Sequence, residues 1–202
     1  SKGNVVSPRE LTITVGQRVR LHQRLGERQE RGYGARTAEI AAELAMHFER
    51  GQDRRRAVTY LQQAADTALR RHAHREAMRY LERALALLPT LPEGAERTRH
   101  ELMVQMALGA AWVVTKGFAA PEVEQAYTQA RALCRQINDP EVLFSVLLGL
   151  WMFYNVRGES YTARAVAEQL LSLARQQQDA ASLMSAHHAL GTTLLIMGEP
   201  AT

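Results

Sequence analysis

Two stretches of the chain, twenty residues apart, are near-copies. One is Ala57-Val58-Thr59-Tyr60-Leu61-Gln62-Gln63-Ala64 and the other Ala77-Met78-Arg79-Tyr80-Leu81-Glu82-Arg83-Ala84. Ala, Tyr-Leu and Ala recur at the same offsets in both. On a helix of about 3.6 residues per turn, offsets of zero, four and seven share one face. Alanine at two of those positions lets a neighbouring helix come close. A twenty-residue step is one helix plus a tight turn, so the pattern predicts stacked antiparallel helices, a repeat array with a surface for binding.

A second echo has twice that period. Gly158-Glu159 precedes Gly198-Glu199 by 40 residues, and Asp139 pairs with Asp179, Leu143 with Leu183 and Leu150 with Leu190. Forty residues hold a helix pair with two turns. The alternative is an ordinary helical bundle whose segments resemble one another by coincidence.

The pass along the chain agrees with an array. Residues 1–16 show no helical period, and Leu11–Val15 alternates like a short strand. A basic helix is expected from about Gln17 to Arg31, ended by Gly32 and Gly34. Thr37 is the expected N-cap of a helix running to Arg50. Asp53 caps the next helix, and a third runs from about Ala73 to Leu88 before Pro89 and Pro92 break it. Further helices are expected over 93–114, from Pro121, from Asp139-Pro140, over 160–178 and over 179–197. The one starting at Asp139-Pro140 is apolar around most of its circumference, from Val142 to Tyr154, as a helix covered on both sides would be. The fold class expected is therefore all-α, with about eight or nine helices.

Charge and cysteine narrow the function classes. The net charge is +4. Residues 1–36 carry eight Lys/Arg against three Asp/Glu, and residues 37–202 carry seventeen against eighteen. The basic excess thus lies in the first helix, on Arg18, Arg20, Arg24, Arg28 and Arg31. That stripe could meet phosphates of a nucleic acid; the plainer expectation is a solvated face beside an acidic domain. The single cysteine, Cys134, excludes an internal disulfide and suits a reducing cytosol. No apolar run approaches the roughly eighteen residues a membrane span needs.

The units resemble tetratricopeptide repeats. Leu190-Gly191 with Leu194 and Gly198, and Leu108-Gly109 with Trp112, fit the first helix of such a unit. Tyr154, Gly158 and Ala163 fit the junction and second helix. Trp151 stands where a small residue is expected, and the period is about 40 rather than 34 residues. A closer resemblance covers nearly all of residues 17–202. Gln17–Arg28, Ile40–Gly51, Thr115–Val123 and Leu190–Leu194 are similar to the region that follows the ATPase module in large bacterial signal-transduction ATPases of the AAA/STAND type. These are often fused to a nucleotide cyclase, a kinase or a DNA-binding domain. The resemblance implies a right-handed α-α superhelix, a protein partner or small effector, and an upstream ATPase domain in the same polypeptide. It divides the chain into 1–16, irregular or added to the native sequence; 17–36, a basic linker helix; and 37–202, a repeat array truncated at its C-terminus.

The sequence holds no residue set arranged for catalysis. A phosphate loop needs Gly-x4-Gly-Lys-Ser/Thr, and neither Lys2 nor Lys116 has that setting. Glu43 and His47, His72 and His74, and the adjacent His187 and His188 fall short of a zinc ligand set. Cys134 lies in line with Ala130 and Ile137, as a small core thiol would. The expectation is a non-enzyme with no cofactor and no metal, in the cytoplasm. Trp112, Trp151, Tyr154 and His187 are the candidate partner contacts, with Arg18, Arg20, Arg24 and Arg28 as candidate phosphate contacts. The last helix, with Leu183, Leu190, Leu194 and Leu195, is expected to expose an apolar stripe through which the chain self-associates.

Overall fold

The computed structural model describes residues 14–198. Among them, nine α-helices follow one another: α1 (Val15–Tyr33), α2 (Ala41–Arg50), α3 (Arg54–Arg70), α4 (His74–Leu87), α5 (Ala95–Lys116), α6 (Pro121–Ile137), α7 (Pro140–Val156), α8 (Ser160–Gln177) and α9 (Ala180–Met197). Short 3-10 segments lie at Gly34–Ile40 and Leu88–Thr90, and the described residues contain no strand. Each helix packs on the next in the chain, and beyond neighbours the main contacts join α3 to α5 and α7 to α9. This all-α stack is consistent with an α-solenoid.

The two sequence periods reappear in the backbone of the turns. Gln52 and His72, twenty residues apart, both take left-handed conformations, with φ of 61° and 59°. In each turn the same pair of hydrogen bonds closes the helix end. Gln52 N donates to Glu49 O and Asp53 N to Phe48 O; His72 N donates to Leu69 O and Ala73 N to Ala68 O. Asn138 and Gln178, forty residues apart, share a φ of 56°. Directly after them Asp139 and Asp179 cap α7 and α9, accepting from Val142 N at 3.1 Å and Ser182 N at 2.8 Å. Asp53 caps α3 in the same way, through Arg56 N at 3.1 Å. The aspartates satisfy backbone donors that the first helical turn leaves open.

The structure differs from the sequence expectations at three places. Of Leu11–Val15, Leu11, Thr12 and Ile13 lie outside the described residues, while Val15 is helical. Thr14 starts α1 through a capping box, in which its hydroxyl accepts from Gln17 N and its own N–H donates to the Gln17 side chain. Thr37 is no N-cap: it sits within the 3-10 segment, the chain leaves helical geometry at Arg36 (φ −95°, ψ 16°), and α2 begins at Ala41. The expected stripe on α9 is split. Leu183 and Leu190 pack against the core, whereas Leu195 is 79% exposed and Ile196 54%.

The core forms two clusters that meet at α5. Leu102 joins the cluster of α6 to α9, and Val104 and Leu108 join that of α2 to α4. Small residues set the spacing. Ala57, Ala77 and Ala84 have no exposed surface and Ala64 is 5% exposed. At the other end of the seam, the Tyr127 ring of α6 is held between two glycines forty residues apart. A Cβ built on Gly109 of α5 would lie 2.9 Å from Tyr127 Cζ, and one on Gly149 of α7 only 2.7 Å from it. Both are closer than real Cβ contacts, so these positions admit the ring because they lack a side chain. The small residue expected at Trp151 thus stands two positions earlier, at Gly149.

Leu61 and Leu81 are buried to 0% and 1% exposure at the corresponding points of the shorter echo. Replacing either by Ala is expected to cost about 2–5 kcal/mol in urea unfolding. Losses below about 1 kcal/mol at both would show that the twenty-residue echo does not carry packing.

Candidate functional site

The odd-numbered helices α3, α5, α7 and α9 share one face, and two grooves run along it. The first, about 690 Å³, lies between α7 and α9. Leu148, Gly149 and Met152 form its floor; Met184, Ser185 and His188 form one wall; Phe118 and Tyr127 close the other. The second, about 600 Å³, lies between α3 and α5, with Gln62, Gln63 and Asp66 on one side and Met103, Met106 and Val142 on the other. α7 connects the two. Val142 lines the second groove, while Ser145, Gly149 and Met152, which follow it on the same side of α7 in successive steps of three, four and three residues, line the first.

The first groove is apolar, and no Asp, Glu, Lys or Arg lines it. Its polar groups are few. Trp151 is 3% exposed, and its Nε1 donates to Thr193 Oγ1 at 2.9 Å, whose hydroxyl donates on to Ala189 O at 2.8 Å. His188 stands edge-on to the Trp151 ring at 6.3 Å. The Tyr127 ring passes through the seam between α5 and α7 to reach the groove. Burial raises its hydroxyl's pKa, which keeps the group protonated.

The structure separates the residues that the sequence singled out. Trp151 holds α7 to α9 and offers little surface to a partner. His187 is exposed on α9 but does not line the groove; its neighbour His188 does. Successive helical residues diverge by about 100°, so one of the pair must turn away. Tyr154 donates its hydroxyl to Glu124 Oε1 at 2.9 Å, and burial together with that carboxylate pushes its pKa up to about 12. It ties α7 to α6. Trp112 is half-buried against the N-terminal core, with Lys116 Nζ 4.5 Å above its ring. Of the four, only Trp151 lines the groove, with 3% of its surface exposed.

Arg18, Arg20, Arg24 and Arg28 are all exposed on α1. α1 is docked on α2: Phe48 packs on Gly26, and Gln23 Nε2 donates to Gly51 O at 2.8 Å. Its acidic residues lie on the side toward α3, where Arg56 meets Glu30 at 3.3 Å and Glu27 at 3.8 Å. The basic stripe is what remains outside. Cys134 is a buried thiol whose pKa is raised by burial and by Asp139. The described residues hold no cluster of three or more potential metal ligands and no helix long and apolar enough to cross a membrane.

The groove residues Phe118, Met152, Met184 and Ser185 escaped the sequence reading, which placed Tyr127 in the core line of its helix. The available signal was the forty-residue spacing of Gly109 and Gly149.

No family model matches the chain, and no curated protein matches it. Among solved structures, it is similar to the crystal structure of BtubC (BKLC) from P. vanneervenii, with a TM-score of 0.62 and 18% identity over 92% of this chain and 82% of that one. At that identity the likeness concerns the fold alone.

The contact between α1 and α2 makes a pH prediction. His22 Nδ1 and His47 Nδ1 lie 2.9 Å apart, so one must donate and the other accept. His47 is 7% exposed. Burial, then His47, Arg50 and Arg18, lower the His22 pKa. Burial likewise lowers that of His100, against the opposing pull of Glu96. The unfolded chain then binds more protons than the folded one just below pH ~6.5. Stability is expected to fall as pH drops from about 7 to 5, and to fall less in His22→Gln. A melting temperature flat over that range would contradict the pairing.

Proposed function

We propose that the chain is a non-catalytic, tetratricopeptide-like interaction and sensor module of a multidomain bacterial signalling ATPase. It acts in the cytoplasm, with its helices wound as a right-handed superhelix. The face shared by α3, α5, α7 and α9 captures a protein partner or small effector. Capture biases the attached domains by favouring one packing of the stack over another, which requires unequal affinity for the two. The observation that carries this reading is the continuity of the face: two grooves of about 690 and 600 Å³ joined by one side of α7. Volumes of that order suit ligands or anchoring side chains. The exposed methionines Met103 and Met184 suit a surface that adapts to its partner.

One observation favours a second reading. Arg20, Arg24 and Arg28 recur every fourth residue along the exposed side of α1. Such a stripe could follow a phosphate backbone, with affinity falling steeply as salt rises.

Panning a displayed peptide library against the folded chain is the test. Enriched sequences should share an apolar side chain, and their binding should drop at least about tenfold in Met184→Glu, which sets a charge on the groove wall that a bound apolar side chain would desolvate. Enriched peptides that bind that variant unchanged, or no enrichment beside salt-sensitive DNA binding, would overturn capture on this face.

A further inference from the structure

Tyr127 reaches the first groove at a cost that packing alone does not explain. A tyrosine ring occupies a helix seam only because both Gly109 and Gly149 lack a Cβ, and the contacts of both glycines are with the ring's far end, Cζ and the two Cε atoms. The hydroxyl is therefore carried past the seam. Among the described residues it has no hydrogen-bond partner, and it is not shut away from solvent. The three other tyrosines that reach from one helix to another group or along their own helix do find partners: Tyr60 with Glu30, Tyr80 with Glu76 and Tyr154 with Glu124. Tyr127 alone of these four presents an unspent donor, and it does so at the wall of an apolar groove.

We infer that the α7–α9 groove binds a neutral peptide segment of a protein partner, which inserts an apolar side chain over Leu148, Met152 and Met184 and accepts a hydrogen bond from the Tyr127 hydroxyl through a backbone carbonyl. This rests on the capture reading above and names the chemistry of what is captured. Charge decides between occupants. No ionised side chain lines the groove, so a carboxylate or ammonium entering it would lose hydration without a counter-charge. A peptide carbonyl loses less, and the hydroxyl replaces its water. The groove is open along α7, so a chain can pass through it, and the two methionines can repack around side chains of different shape. Ser185 and His188 on α9 supply further polar atoms along the same line.

The test uses N-acetyl-leucinamide as the smallest such segment, with binding read from the 13C methyl resonances of the seven methionines. Saturable shifts are expected at Met152 and Met184, in the millimolar range that so small a ligand allows. N-acetyl-leucinate, which carries a carboxylate, should bind more weakly. Tyr127→Phe keeps the ring between the glycines and removes only the hydroxyl. It should weaken binding roughly three- to tenfold while leaving the melting temperature and the unliganded methyl spectrum in place. Equal binding by the wild type and Tyr127→Phe would overturn the role of Tyr127 and leave capture by the groove standing. Shifts confined to Met103 and Met106, or tighter binding of the carboxylate, would overturn the assignment of this groove to neutral peptide. So would no shift at all.

Discussion

The contact on which the stack depends is the ring of Tyr127 wedged between Gly109 and Gly149. It touches three consecutive helices at once. α5 carries residues of both core clusters, so α5 fixes how the two halves of the array meet, and Tyr127 fixes α5 against α6 and α7. Interiors pack at crystal-like density, so a ring in a seam demands that the flanking positions be empty. Two glycines in helix interiors are unfavourable by about 1 kcal/mol each relative to alanine. That cost is offset only where the vacancy is filled, and here one side chain fills both. The same wedge brings a hydroxyl to the groove between α7 and α9, so the packing device and the binding surface are one feature.

The array's rhythm comes from its turns as much as from its faces. Gln52 and His72 adopt left-handed conformations that cost non-glycine residues energy, yet the double hydrogen bond across each turn recurs at both. Asp139 and Asp179 then restart the chain in the same way. Turns that recur at a fixed spacing are what let a short sequence echo build an extended stack.

This explains how much was legible beforehand. The echoed Ala57, Leu61, Ala77 and Leu81 announced their burial because both period and residue type recur. The aspartate caps and Pro121 and Pro140 gave the helix starts for the same local reason. Thr37 misled because cap chemistry is local, while the 3-10 segment containing it is held by packing against α1, α2 and α3. The candidate site was less legible. α7 and α9 are apolar on nearly all sides, so their sequences do not say which side faces a neighbour and which faces the groove. Trp151 lines the groove but is nearly buried, its indole N–H held by Thr193, and on α9 it is His188 rather than His187 that lines the wall. Only the forty-residue step from Gly109 to Gly149 carried the information, since paired glycines in helices ask what occupies the gap.

The most direct measurement is the stability of Gly149→Ala in two backgrounds. In the wild type, the new methyl must displace the Tyr127 ring, an overpacking cost of roughly 1–3 kcal/mol that exceeds or cancels the helical gain of about 1 kcal/mol. In Tyr127→Leu the ring is gone and the helical gain should remain. The account predicts that Gly149→Ala is neutral to destabilising with Tyr127 and stabilising without it, a coupling of at least about 1 kcal/mol between the two positions. Equal effects of Gly149→Ala in both backgrounds would contradict it, for they would mean that the ring and the glycine do not share the seam.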